Sequence, residues 1–306
     1  MTTRPRILLD CDPGIDDTFA IFCALRFADL AAITTVSGNM PIEHTTRNAR
    51  WILELAKSPE VPVYQGADKP IAVDPFFVPD IHGPSGLGDF VTPESDVTIG
   101  ELTAVEAITT HCRDGGAVIV AIGPLTNIAE ALLADPTLPE RIDQLHWMGG
   151  SAVGGNTTEF AEFNAWVDPD AAHITMESGV PISMYGLDLT HQVRMDGKDV
   201  DMLRDAATPT SERAADFLEF YWRQSTTNED GKPMHDPCAL LGATHPDLFE
   251  RASSRIVVEA VAEDTRGKTT VLDPVETHRH THVTKTKADI VTSLIREAAI
   301  APREIR

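Results

Sequence analysis

Basic charge is scarce in this chain, with 25 Lys and Arg against 47 Asp and Glu, a formal net charge of −22 over 306 residues. Nucleic acids and anionic membranes select for basic surfaces, so this balance argues against both as partners. Cysteine is scarcer still, at four, and Cys11, Cys23, Cys112 and Cys238 form no CxxC pair. Widely spaced single cysteines suit reduced, buried thiols, and the cytoplasm is the expected location. No run of about eighteen apolar residues is present to cross a bilayer. No apolar secretory segment follows Met1-Thr2-Thr3-Arg4-Pro5-Arg6. Repeats, composition breaks and low-complexity linkers are lacking too, so residues 1–306 read as one domain.

What the chain does have is alternation. Ile7–Leu9, Ala31–Val36, Val61–Tyr64, Ala117–Ile122, Gln144–Met148 and Ile182–Gly186 read as short apolar strands. Helix-length segments separate them: Asp17–Phe27, Pro41–Lys57, Glu101–Asp114, Leu125–Ala134 and Asp168–Ser178. Such alternation predicts an α/β fold, an open and mostly parallel sheet flanked by helices. Ligands of these sheets bind at the C-terminal ends of the strands, which puts the residues after strand one, Asn39 and Gly123 on one rim. The final third predicts helices over Gly197–Ala206 and Pro209–Thr226, and another starting at Asp236-Pro237. Strands follow at Ile256–Ala262, Thr269–Leu272 and Thr281–Lys285, then a helix over Asp289–Ala298. The stretch from Ile71 to Thr98, rich in Pro, Gly and Asp, reads as a long loop of the kind that often forms a lid.

Four aspartates lie within eight residues, in Asp10-Cys11-Asp12-Pro13-Gly14-Ile15-Asp16-Asp17. Asp10 and Asp12 flank Cys11 at a strand end and are read as pointing apart; Asp16 and Asp17 open the next helix, where the dipole favours carboxylates. One Asp at either place is ordinary. Four around a Pro-Gly turn repel one another and resist dehydration, which points to a bound cation. Oxygen-only donors suit calcium or magnesium better than zinc, and Asp12 with Asp17 is the expected clamp.

Three further stretches are candidates. In His235-Asp236-Pro237 the Asp reads as a helix N-cap with Pro at the first helical position, though Asp168-Pro169 and Asp135-Pro136 share that pairing. Asp236 would add a carboxylate to a calcium site, and His235 could protonate a leaving group. Glu162 and Asn164 are read in an extended segment, both on one side, where they suit vicinal sugar hydroxyls. His278, His280 and His282 alternate; zinc would want further ligands, so the stripe reads as structural.

Taken together, these segments resemble the inosine-uridine preferring nucleoside hydrolase family. The resemblance rests on the aspartate-rich opening, Thr34-Thr35-Val36-Ser37-Gly38-Asn39, Ile81-His82-Gly83, Gly123-Pro124-Leu125-Thr126-Asn127, Ala161-Glu162-Phe163-Asn164 and His235-Asp236-Pro237. It implies one catalytic domain that hydrolyses the N-glycosidic bond of ribonucleosides to free base and ribose. It implies Ca2+ held by Asp12, Asp17, Asp236 and the carbonyl of Ile122. Asp16, Asn39, Glu162 and Asn164 would hold the sugar, with Asn156 and Met148 close by and Asp10 bracing the loop from behind. Asp12 would accept a proton from water, His82 would lie near the base, and His235 would be the acid. Gln224, four residues after Phe220, is implied at the base pocket, with a lean to pyrimidine or broad specificity. A homodimer or homotetramer is implied as well. Two competitors stand beside this reading: a haloacid-dehalogenase-like phosphatase, which also opens with Asp-x-Asp after a strand, and a non-catalytic nucleoside- or ribose-binding protein on the same scaffold.

Overall fold

The computed structural model describes residues 4–223 and 231–303. Its first two thirds follow the predicted alternation: β1 (Arg6–Cys11), α1 (Ile15–Phe27), β2 (Asp29–Thr35), α2 (Ile42–Leu55), β3 (Val63–Gln65), α3 (Pro79–His82), α4 (Ala104–His111), β4 (Ala117–Ala121), α5 (Thr126–Ala134), β5 (Ile142–Met148), α6 (Phe163–Val167), α7 (Pro169–Glu177), β6 (Ile182–Tyr185) and α8 (Leu187–Thr190). There follow β7 (Arg194–Met195), α9 (Gly197–Ala206), α10 (Pro209–Arg223), β8 (Lys232–Pro233), α11 (Asp236–Thr244), β9 (Phe249–Val258), β10 (Thr269–Leu272), β11 (His280–Thr286) and α12 (Ala288–Ile300).

Among the described residues nine strands form one sheet in the order β10-β9-β11-β6-β5-β4-β1-β2-β3, and β7 pairs with β8 separately. From β3 to β11 every pairing is parallel; only β9 runs against its neighbours. The inner strands carry apolar residues on both faces because helices cover both, as in the wholly buried run Ile7, Leu8, Leu9. The chain winds outward from β1 to β3 and returns to place β4 on the other side of β1. Strand order therefore reverses between β1 and β4, and this is where such sheets open a crevice for ligands.

Two predictions need correction. The strand expected at Ile256–Ala262 begins earlier, at Phe249, because the first half of β9 is exposed and polar on a solvated, antiparallel part of the sheet. Phe163–Val167 is helical, not extended: the Glu162 carboxylate accepts from the amides of Asn164 and Ala165 and so starts a helix of five residues. The histidine stripe makes structural contacts: His278 and His280 meet edge to face at 5.2 Å, His280 takes the amide of Ile256, His282 pairs with Asp188 at 2.7 Å, and His278 lies before the strand against Glu177. The Ile71–Thr98 loop keeps little regular structure beyond α3, but it is tied down. Asn48 donates to the carbonyls of Pro13 and Ser85, and the Arg50 guanidinium reaches those of Ser95 and Val97.

A second polar group joins the buried Tyr185 and His146 to the exposed Arg251. Tyr185 OH sits 2.9 Å from His146 Nδ1 and accepts from Arg251 at 3.2 Å, while Arg251 also donates to the Gly242 carbonyl of α11. Burial holds His146 neutral, its pKa lowered to about 3.

Candidate active site

Asp12 lies just past β1 in a slot walled by glycine. A Cβ on Gly38 would stand 2.1 Å from Asp12 Oδ2, and one on Gly123 would stand 2.6 Å from Oδ1. The Asn39 amide donates to Oδ2 at 2.6 Å, whereas the buried Oδ1 finds no hydrogen-bond partner among the described residues. Asp17, in the first turn of α1, turns back to accept from the amides of Asp12 (3.2 Å) and Gly14 (2.9 Å), and the Asn39 side chain donates to it as well. Asp10 points elsewhere, receiving Thr34 at 2.5 Å and Asn127 at 2.7 Å. Alternation alone would put residues two apart on one side; they part because Asp12 lies beyond the strand end.

Asp236 departs from the expected cap. His235 occupies the N-cap without a side-chain cap bond, and Asp236 is the first helical residue. It turns instead to the aspartates: ligand oxygens of Asp16, Asp17 and Asp236 all lie within 4.8 Å of one another. Asp12 is outside that tightest trio but close enough to interact by charge. Burial is the main reason these groups hold protons, with mutual repulsion adding to it. It pushes Asp16 up to about 7 and Asp17 up to about 6, and raises Asp12 and Asp236 further. Four buried carboxyls, one with an orphaned oxygen, form a donor set that fits a hard cation and can hold a metal ion.

Asp16 and Asp236 of the cluster line a cavity of about 280 Å³. Asn39, Ile122, Met148, Asn156, Glu162 and Asn164 line it too, together with the apolar Phe76, Val78, Ile81, Phe163 and Tyr221 and with His82 and His235. Glu162 is pinned by amides of Gly150, Asn164 and Ala165, and burial raises its pKa to about 7. Asn164 donates to the carbonyls of Ile122 (2.9 Å) and Met148 (3.1 Å), and Asn156 accepts from the amide of Phe163. His82 takes the Ile15 amide on Nδ1 at 3.1 Å and stacks on Tyr221. Burial lowers His82 to about 4 and His235 to about 3, the latter with help from His191, His82, Arg194 and Lys232, so both rings are neutral near pH 7. A wider hollow of about 860 Å³ lies by the starts of β1 and β2, lined by Arg4, Arg6 and Arg303. It holds no comparable cluster of buried groups, so size alone does not mark the site.

The structure thus brings Asp16, Asn39, His82, Ile122, Met148, Asn156, Glu162, Asn164, His235 and Asp236 to the lining of one cavity, with Asp17 against Asp16 and Asp236, Asp12 near them, and Asp10 turned to Thr34 and Asn127. Gln224 lies outside the described residues. Phe220, expected to face the base with it, packs against Gly88 instead, and Tyr221 lines the cavity. Sequence reasoning also missed Phe76, Val78 and Thr190. Thr190 Oγ1 sits 2.8 Å from His235 Nδ1, but its local sequence carries no motif.

A pocket at the switch point of an α/β sheet, with the carboxyls of Asp16, Glu162 and Asp236 among apolar and amide side chains, suits a hydrolase that acts on N-glycosyl bonds. Residues 7–300 match the model of the inosine-uridine preferring nucleoside hydrolase family, and the chain belongs to that family. It is 40% identical to a pyrimidine-specific ribonucleoside hydrolase RihA of Shewanella woodyi over 88% of both chains. With a RihA of Salmonella typhi the identity is 37%, over 87% of this chain and 88% of the relative. Among solved structures, a plant nucleoside hydrolase superposes with a TM-score of 0.91 at 30% identity, covering 98% of this chain and 100% of that one. A purine-preferring ribonucleoside hydrolase from Gardnerella vaginalis gives the same TM-score and coverage at 32% identity. The chain is a ribonucleoside hydrolase, and the phosphatase reading falls with that membership.

Proposed function

We propose that this enzyme cleaves ribonucleosides with the help of Ca2+ held by Asp12, Asp17, Asp236 and the Ile122 carbonyl. The observation that carries the reading is the gathering of the buried carboxyls of Asp16, Asp17 and Asp236 near Asp12, whose Oδ1 has no partner among the described residues, beside a cavity with a largely apolar lining. A hard divalent cation bound there would orient a water, lower its pKa and cancel the repulsion among the carboxylates. Asp12 accepts a proton from the attacking water through its free oxygen. Asp16, Asn39, Glu162 and Asn164, with Asn156 and Met148 beside them, grip the ribose hydroxyls and the positive charge that builds on the sugar ring as the bond breaks. Asp10 holds the strand end, bonded to Thr34 and Asn127. The base leaves towards the apolar lining, near His82. His235 serves it from a neutral ring: one imidazole N–H bonds the base, and that bond strengthens as negative charge develops there.

Pyrimidine ribonucleosides, or a broad range, are the proposed substrates. The RihA relatives named pyrimidine-specific support this, while the Gardnerella enzyme named purine-preferring keeps purines in the test. Gln224 belongs to the proposal from sequence alone. The cytoplasm suits four buried thiols with no disulfide, and a homodimer or homotetramer is the proposed assembly of this single catalytic domain. No helix among the described residues is long and apolar enough to cross a membrane.

One assay tests the reading: free ribose from inosine, uridine, cytidine and adenosine, with and without a calcium chelator. Calcium-dependent ribose from pyrimidine nucleosides supports it. Turnover untouched by chelation sinks the metal assignment, and nucleoside binding without any ribose points to the catalytically silent alternative.

A further inference from the structure

A histidine that serves a leaving base is useful only if the right ring nitrogen carries the hydrogen, and this structure puts a hydroxyl where that choice is made. Thr190, fully buried at the end of α8, holds Oγ1 2.8 Å from Nδ1 of His235. The contact commits Nδ1 and leaves Nε2 as the nitrogen available to the cavity that His235 lines. In a neutral imidazole one nitrogen donates and the other accepts. If the hydroxyl donates to Nδ1, Nε2 bears the hydrogen and faces the base as a donor. The reverse arrangement presents a bare lone pair to a base that is gaining negative charge. We propose that Thr190 is a positioning residue that donates its hydroxyl hydrogen to His235 Nδ1 and so fixes the ring in the Nε2–H form the departing base needs. The inference rests on the role given to His235 above.

The support beneath Thr190 is built to hold it still. On α8, Asp188 pairs with His282 of β11 at 2.7 Å and takes the Ala152 amide at 3.2 Å, and the Leu187 amide donates to the Gly150 carbonyl at 3.1 Å. Gly186, just before the helix, leaves no room for a side chain, since its Cβ would meet Asp188 Oδ1 at 2.8 Å. The helix is clamped between a strand and the loop after β5, and threonine's branched side chain adds a stiff χ1. The His282–Asp188 pair, useless as a zinc site, gains a purpose here: it anchors the element that carries the hydroxyl.

A buried hydroxyl would seek some partner in any case, so the test must separate orientation from packing. Thr190→Val, Thr190→Ser and His235→Asn are compared on uridine and on p-nitrophenyl β-ribofuranoside, whose phenolate departs without a proton. Thr190→Val should lower kcat on uridine about 10- to 100-fold, the size seen when a histidine loses its orienting partner. KM should hardly move, the loss on the nitrophenyl substrate should be about tenfold smaller or less, and Thr190→Ser should restore most of the rate. Equal losses on both substrates, or no loss, overturn the proposal. His235→Asn guards the premise: full uridine turnover in that variant overturns the role of His235 and the proposal together, whereas a loss there with none in Thr190→Val overturns the proposal alone. Nitrogen NMR of the wild-type imidazole reads the tautomer even if a variant fails to fold. Hydrogen on Nε2 supports the assignment and hydrogen on Nδ1 refutes it.

Discussion

Two polar clusters in this protein, one across β5 and β6 and one where the end of β1 meets the starts of α1 and α11, are built on opposite principles. Around Tyr185, every group is answered: the hydroxyl meets His146 and Arg251, and Arg251 meets the Gly242 and Pro246 carbonyls. Around Asp12, like faces like, an oxygen is left unpaired, and burial forces protons onto the carboxyls. A satisfied network stabilises a fold and specifies it; an unsatisfied one costs stability and persists where a ligand completes it. The contrast separates scaffold from site with no appeal to the shape of the pocket.

That contrast can be broken by mutation. Asp12→Asn should cost the largest effect, about 10² to 10⁴ in kcat, as expected for loss of a general base. In the same variant the chelated protein at pH 8 should melt higher than wild type, since a carboxyl that burial and its neighbours keep from ionising freely is gone; ribose release and thermal melts check the pair. His235→Asn should follow, with a loss of about 10² on uridine. Tyr185→Phe should do the opposite of Asp12→Asn: a loss of about 1 to 3 kcal/mol in stability, as His146 and Arg251 lose a partner, with kcat nearly intact. At about 2 to 4 °C per kcal/mol the melt resolves that readily. The smallest effect is on pH. Asp16 and Asp17 hold protons up to about 7 and about 6, well above an unfolded aspartate, so their contribution to metal-free stability is present at low pH and fades as pH rises through those values. A cation held by Asp17 needs that carboxyl ionised, so the rise in Tm on adding Ca2+ should grow from pH 5 to pH 8. A calcium-induced shift that shrinks over that range would count against the carboxylates as ligands.

Much of the fold was legible because it is written in local pattern. β1, β4 and β5 are apolar runs ended by turns, and Gly197–Ala206 and Thr269–Leu272 fall where the sequence reading put them. The site was legible where residues cluster in sequence, as Asp10 to Asp17 do. What escaped was decided by tertiary contact. Asp236 reads as a cap, but the carboxylate cluster claims its side chain. Glu162 caps a five-residue helix too short to show a period. Phe220 and Tyr221 are neighbours in α10, and only the packed helix shows that Gly88 takes one and the cavity the other. Thr190 has no signal at all until α8 is folded against His235.

The reversal of strand order between β1 and β4 also bears on how the enzyme is made. Asp16 and Asp236 are more than two hundred residues apart in the chain, and β1 gains its second neighbour only when residues 117–121 arrive. Contacts of such long range form slowly and late. On the ribosome, then, the first half of the sheet emerges with three of its acidic groups and no means of closing the cluster. The acid pocket comes into being with the arrival of α11, so metal uptake would double as a signal that synthesis and folding are complete.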